Sequence, residues 1–573
     1  MASVTFADRT AMQHRLFAEL SSMFGKEVPL YDKSLLVNSV CNRAVVDLLA
    51  KLYPGFAVSD EQLERTSGER HGAIRIGKRD EYRWIGRFFA QFAMEPHNFY
   101  DMTSVGAKSQ PIIATAFRST HGPEHRVFTS LLQTNWFDDE VRARIEALLA
   151  LRQVFTERAK GLIEKGEREG GLSWADADAL IGEATGKIFK WTGRARDHGL
   201  YQELGAAGFK IAADIACFEN HHLNHLTPNT LCMDLYTSAM KHAMGELNAS
   251  EFVARARRAL SRLAGMADRD WMRLHFRHLG ASVVDALAHV SPGQAAGGVE
   301  ALAKSLAERV TARLAEPDLR LAEMKHSGFK DTTEGPSWDT PVLLRQDSYK
   351  ALTEPVVFAN PDGTTTSTTH TARFGEIEQR FYATTPRGRA MYDQCLAAAE
   401  EATAKHPGLA QKDFEAYERL AVGAFAPFPK SAAELLERGL VWGVYTPTEA
   451  GLRAKGTIGT TDARELVRLG YARVEGQRYE DFLPVSAAGI FASNLSQYGT
   501  KTTAKVRPTY TQAMLEEVLG KKIIDTDSAY RATEAASLLA TYEALGLGGR
   551  LGDAERAELA GAGVAPSFGA AAK

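Results

Sequence analysis

Three short runs of this chain gather residue types that bind metals or carboxylates. His71 and Arg75 stand four apart at the start of a glycine-bounded run, Gly72 to Gly77, whose Ile74 and Ile76 suit a strand. With a side-chain period of two they share one strand face, about 13 Å apart along the backbone. That spacing would let a metal ligand and a carboxylate anchor grip the two ends of a small dianion, although a surface His beside a surface Arg fits it equally. The run Glu219 to Pro228 holds His221, His222 and His225, and such clusters are uncommon unless imidazoles are in use. His221 and His225 are co-facial on a helix or a strand, His222 and His225 only on a helix. Spacing alone leaves the choice among them open, as it leaves open a merely polar turn. Around Glu376, alternation puts Phe374, Glu376, Glu378 and Arg380 on one face. One reading is a solvated sheet face with a Glu378–Arg380 ion pair; the other turns Glu376 inward as a metal ligand supported by its neighbours. Two histidines and one carboxylate form the facial triad that leaves open positions on iron(II) for a chelating substrate and dioxygen. The three runs lie roughly 150 residues apart, too far for a local H-x-x-x-H metalloprotease helix, so the ligands must come from separate strands.

The elements that would position these residues are mixed. From Asp8 to Leu52 apolar residues recur at helical spacing (Leu35, Leu36, Val40, Val45, Val46, Leu49), as they do from Asp138 to Lys165. Residues 81 to 100 carry so many aromatics that they are expected in the core. Phe209 to Asp214 and Leu223 to Leu235 read as short strand-like pieces with a Thr227-Pro228 break. From 247 to 321 the pattern is that of a helical insertion, with Ser250 as an expected N-cap, Ser291 to Gly298 as a loop, and Pro317 as a stop. It offers no convincing catalytic set, though His275 and His278 are close in sequence. Strand-like texture resumes with Val342 to Gln346, Thr364 to Thr371 and Ala372 to Phe381. The expected organisation is a metal-binding α+β domain in two parts, 1–246 and 322–551, split by the insertion 247–321 and followed by a loose Ala/Gly-rich tail, 552–573.

The chain's 573 residues, 45% of them hydrophobic, are ample for one large domain or several ordinary ones. Lys plus Arg number 68 against 71 for Asp plus Glu, a formal charge of -3, so nothing draws the molecule to nucleic acid or an anionic membrane. Charged residues from Asp8 to Glu27 leave no room for the apolar core of a signal peptide, and no stretch approaches a membrane span. A cytoplasmic protein is expected. Cys41, Cys217, Cys232 and Cys395 are scattered and lack C-x-x-C spacing, which points to reduced, buried thiols and away from a thiolate zinc site. A metal would have to be held by His and carboxylate.

Four segments in order, Glu69-Arg70-His71-Gly72-Ala73-Ile74-Arg75, Leu223-Asn224-His225-Leu226-Thr227-Pro228, Arg373-Phe374-Gly375-Glu376-Ile377-Glu378-Gln379-Arg380 and Asp481 to Phe491, resemble the signatures of the 2-oxoadipate dioxygenase/decarboxylase family, also called hydroxyglutarate synthases. The likeness covers most of the chain apart from the insertion and the tail. It implies a vicinal-oxygen-chelate-like core, a β-barrel or curved sheet surrounded by helices. The Glu-Ile-x-Gln-Arg run is similar to the metal-ligand strand of 4-hydroxyphenylpyruvate dioxygenase, which selects Glu376 over Glu378, and the Asn-His-x-Thr-Pro context selects His225 from its cluster. The resemblance thus implies His71, His225 and Glu376 as ligands of Fe(2+), Arg75 on the substrate carboxylate, and Val485 with Ser486 as substrate-binding residues.

It further implies conversion of 2-oxoadipate and O2 to 2-hydroxyglutarate and CO2, a step of lysine breakdown, with no nucleic-acid or membrane partner. The bottom-up reading adds that Arg75 shares a strand face with His71. The insertion, about 242 to 322, departs from shorter family members and leaves the oligomeric state open. Competing expectations are a ring-cleaving dioxygenase or isomerase of the same fold class, a non-catalytic metal-containing binding protein, and a zinc hydrolase, the last disfavoured because no separate general base can be named.

Overall fold

Asp8 accepts a hydrogen bond from the Ala11 amide and starts a helix, Arg9–Glu27; Pro29, whose missing N–H costs nothing in a first turn, opens the next, Pro29–Leu52. A computed structural model describes residues 5–105, 109–120, 125–276, 298–483, 488 and 502–562. Twelve strands lie among them. The first half carries β1 (Glu69–Ile76), β2 (Met94–Asp101), β3 (Ile112–Ser119), β4 (Arg126–Leu132), β5 (Arg194–Arg196) and β6 (His225–Pro228). The second carries β7 (Leu344–Ser348), β8 (Thr353–Ala359), β9 (Thr365–Thr371), β10 (Glu376–Arg380), β11 (Gly443–Pro447) and β12 (Ala472–Gly476).

The main sheet runs β2-β3-β4-β1-β6, with β1 parallel to β4 and antiparallel to β6. β10 pairs antiparallel with β7. Between β6 and β10 there is no continuous ladder. The two run side by side and are joined at their ends, where the Phe374 amide donates to the Asn224 carbonyl (3.2 Å) and the Thr230 amide to that of Glu378 (2.8 Å). The α+β class is as expected, but the described strands form an open sheet extended by the β10–β7 pair and do not close into a barrel. The reason is local. β10 forms its full ladder with β7 and meets β6 through isolated bonds, and the outer side of β2 is occupied by Ile524, which exchanges backbone bonds with Pro96 and Asn98.

Helices cover the sheet on both faces, so the strands read as nearly continuous buried runs. The aromatic-rich segment is the helix Arg79–Gln91, which buries Tyr82, Ile85, Phe88 and Phe89 at three- and four-residue steps, followed by β2. Two expectations are corrected. Phe209 to Asp214 is not a strand: Lys210–Cys217 is a helix, buried from Ile211 onward, and its alanines favour the helical state. The first insertion helix, Ala249–Met266, is capped by Asn248 in a reciprocal box with Glu251, and Ser250 lies inside it, bonded to the Asn248 side chain.

That helix, Arg269–Phe276 and Val299–Leu314 bury Phe252, Leu260, Phe276, Leu306 and Val310 in the same apolar core as the sheet. His278 and residues 291–297 of the expected loop lie outside the described residues. Of the expected tail, Asp553–Ala562 is a helix with exposed side chains, tied by an Arg531–Glu558 ion pair, and 563–573 are not described. The four cysteines are buried and unbridged. No helix among the described residues is long and apolar enough to cross a membrane.

Candidate metal centre

β1, β6 and β10 are neighbours in space, and each contributes one inward side chain to a common point. In register, Ala73 faces His225 and His71 faces Thr227, so these side chains stand on one face of the sheet. Gly72, on the opposite face, makes this approach possible. A Cβ there would lie 3.1 Å from the His225 carbonyl and 3.0 Å from Leu226 Cδ2. Gly375 plays the same part beside Glu376, where a Cβ would meet the Tyr349 and Tyr31 rings at 2.7 and 2.9 Å.

The resulting group is buried and compact. Candidate ligand atoms of His71, His225 and Glu376 all lie within 4.8 Å of one another. Glu376 Oε2 is 3.1 Å from His71 Nε2 and 3.4 Å from His225 Nε2. The Thr227 hydroxyl donates to the same oxygen at 3.1 Å, and His225 stacks on Phe374 at 4.8 Å between centroids. Neither ring nitrogen of His225 and not Glu376 Oε1 has a hydrogen-bond partner among the described residues. Buried polar atoms are normally paired, so an unpaired His225 nitrogen and an unpaired Glu376 oxygen beside His71 fit a cation. Burial pushes the Glu376 carboxyl up, partly offset by His71, a cost that a dication would relieve. Burial, then the nearby charges of His71 and Arg75, hold His225 well below the usual imidazole range and therefore neutral, the form that coordinates. The N,N,O donor set fits a divalent transition metal.

Of the three clustered histidines, each meets a different carboxylate. His221 Nε2 lies 2.8 Å from Glu81, which also faces Arg152; His222 Nε2 lies 3.4 Å from Asp214; His225 alone meets Glu376. Glu378, the other carboxylate on the Glu376 face, is fully engaged elsewhere. Its Oε2 accepts from His71 Nδ1 (2.7 Å) and Arg380 Nη2 (2.8 Å), its Oε1 from Arg380 Nε (2.6 Å) and Arg126 Nη1 (3.1 Å). The Glu378–Arg380 ion pair is therefore real but buried, not solvated. Burial pushes the Glu378 carboxyl up, but Arg380, His71 and Arg126 outweigh it and hold it well below the ordinary range. With Nδ1–H donated to Glu378, His71 keeps its Nε2 lone pair toward Glu376, an outer carboxylate fixing the tautomer of an inner imidazole.

Arg126 also bonds Glu480, and Arg380 donates to the carbonyls of Tyr479 (3.2 Å) and Asp481 (2.6 Å). These bonds hold the segment that leads to Val485 and Ser486, both outside the described residues. Arg126, Glu480 and Thr227 were not found by sequence reasoning; no spacing rule links Arg126 and Glu480 to Glu378, whereas Thr227, two residues from His225 on β6, could have been found by the period of two.

Arg75 is on the His71 face of β1, as expected, and is buried. Its Nη1 donates to Asp214 Oδ2 at 2.7 Å and its Nη2 to the Ala488 carbonyl at 3.2 Å, so it touches the expected substrate loop two residues past Ser486.

A buried two-histidine, one-carboxylate centre on adjacent strands of an α+β fold defines the facial-triad class of metal site. Sequence comparison narrows this. A model of the family described as 2-oxoadipate dioxygenase/decarboxylase matches residues 16–262 and 275–494. A Pseudomonas putida protein named 2-oxoadipate dioxygenase/decarboxylase is 34% identical over 557 residues, spanning 96% of this chain and 100% of its own length. An Escherichia coli protein of the same name is 30% identical, covering 94% and 98%. Among solved structures, the hydroxyglutarate synthase of Pseudomonas putida in complex with 2-oxoadipate superposes with a TM-score of 0.64 at 32% identity, covering 95% of this chain and 99% of that one. The chain belongs to the 2-oxoadipate dioxygenase/decarboxylase family.

Proposed function

We propose that this protein is an iron(II)-dependent oxygenase that converts 2-oxoadipate and O2 to 2-hydroxyglutarate and CO2. The observation that carries the reading is the pairing, on one face of β1, of a buried His71–His225–Glu376 centre with Arg75. Family membership and the named activity of the relatives support it. Iron, held by those three residues, would supply the open positions and the electrons that bring a 2-oxo acid and dioxygen together.

The protein's own residues do the rest. Arg75 presents a planar fork to the far carboxylate of the substrate. Ala73, the small residue between His71 and Arg75 on that face, would leave room for the substrate chain. Phe482, edge-on to His71 at 5.0 Å and packed on Phe128, keeps water from the metal side, and Val485 with Ser486 would bind the substrate. Glu378 holds the His71 ring through Nδ1. The overall change balances without a co-substrate. C1 leaves as CO2, one oxygen atom of O2 completes the new carboxylate at the former C2, and the other becomes the hydroxyl on the adjacent carbon.

The test is anaerobic purification, metal analysis, and oxygen uptake with 2-oxoadipate. Iron-dependent uptake with one CO2 released per O2 is expected. Uptake that stays at background with iron present would overturn the oxygenase reading.

A further inference from the structure

Arg75 does not stand alone in its pocket. Asp214, fully buried on the helix Lys210–Cys217, takes Arg75 Nη1 with one oxygen. Its other oxygen faces His370 Nε2 at 3.2 Å and His222 Nε2 at 3.4 Å. His370 is the one buried side chain of β9, a strand otherwise of exposed and half-exposed residues. Its Nδ1 lies 2.8 Å from the Tyr201 hydroxyl, which holds the ring with Nε2 toward Asp214. Trp191 packs edge-on against His222 at 4.7 Å and stacks with Phe218 at 5.1 Å, closing the cluster. Burial pushes the Asp214 carboxyl up, but His222, His370 and Arg75 outweigh it and keep it ionised. Three segments, those of Arg75, His222 and His370, thus converge on one carboxylate whose outward contact is Arg75.

Such a backing has a consequence for a guanidinium on a flexible stem. An arginine anchored only at its Cα can shift its fork by more than a methylene, whereas one tied through Nη1 to a fixed carboxylate presents its remaining edge at one distance from His71. We propose that Asp214, held by His222 and His370, is a positioning residue that fixes where Arg75 grips the far carboxylate and so sets the length of 2-oxo diacid accepted. This rests on the reading of Arg75 as the substrate anchor.

The experiment compares 2-oxoadipate with the diacids one methylene shorter and longer, 2-oxoglutarate and 2-oxopimelate, on the iron-loaded full chain. For Asp214→Asn the expected result is a rise of about tenfold in KM for 2-oxoadipate, a smaller fall in kcat, and a drop of about tenfold in the kcat/KM preference over the other two acids. His370→Phe, which removes one donor to Asp214 but leaves the Arg75 contact, should move the same ratios by about threefold and decides the matter if Asp214→Asn does not fold. Unchanged ratios in the folded variants, or an equal loss on all three acids, would overturn the positioning role. Arg75→Lys separates the two readings. If it leaves KM for 2-oxoadipate unchanged, the anchor itself fails. If it raises KM while the Asp214 and His370 variants leave preference untouched, the anchor stands and the positioning role falls.

Discussion

In front of the His71 ring, toward β6, lie Glu376 and His225, with Glu376 Oε1 and both His225 nitrogens unpaired among the described residues. Behind the ring lies Glu378, two residues from Glu376 on the same strand face and equally buried, with both oxygens accepting twice. The same residue type, two positions apart, is treated in opposite ways. Where a fold supplies arginines for a buried carboxylate, the carboxylate belongs to the scaffold; where it supplies imidazoles and a hydroxyl but no arginine bond, a bound cation fits the gap. A third glutamate, Glu81, extends the scaffold side, paired with His221 and facing Arg152.

Glutamate-to-glutamine replacement at these three positions tests that contrast. Glu376→Gln should abolish metal retention and bring turnover to background while leaving the fold intact, read by metal analysis and circular dichroism; a variant that keeps stoichiometric iron would break the contrast. Glu378→Gln should keep the metal but bind it about 10- to 100-fold more weakly, because the His71 tautomer loses its charged partner. Competition with a chelator measures this. Affinity equal to that of the parent would remove Glu378 from the centre.

Glu81→Gln should have the smallest effect and leave the metal alone. Burial raises the Glu81 carboxyl, but His221, Arg152 and Lys78 outweigh it and bring it down to about 2. Its folded-state value is therefore below the unfolded one, so its contribution is present in full above about pH 4 and is lost as pH falls toward 2. The stability gap between parent and variant should be on the order of 2 kcal/mol near neutrality and vanish on acidification through that window. A gap independent of pH would show that the Glu81 charge is not what stabilises.

Strand parity made much of the site legible. His71 and Arg75 share a face because a period of two requires it, and the same rule placed Glu376 and Glu378 together. Parity also put Arg380 beside Glu378, but it cannot show Arg126, which reaches Glu378 from β4 and is itself bonded to Glu480. The histidine cluster was ambiguous for a related reason: His221, His222 and His225 differ by the carboxylate each meets, and those lie on three separate elements. Asp214 left no signal at all, a lone acid in an apolar segment that reads equally as strand or helix until its packing is known. Arg75 was named from the sequence, but the carboxylate it is bonded to was not.

The seam between β6 and β10 gives the centre a mechanical side. Two of the three donors come from the first half of the chain and the third from the second, and among the described residues the strands bearing His225 and Glu376 meet through isolated backbone bonds, with no continuous ladder. A metal ion seated there would act as a rivet between the halves. Binding to the folded chain alone at a hundred times its dissociation constant adds about 2.7 kcal/mol of stability, so the ion that opens the chemistry would also fasten the sheet across its weakest join.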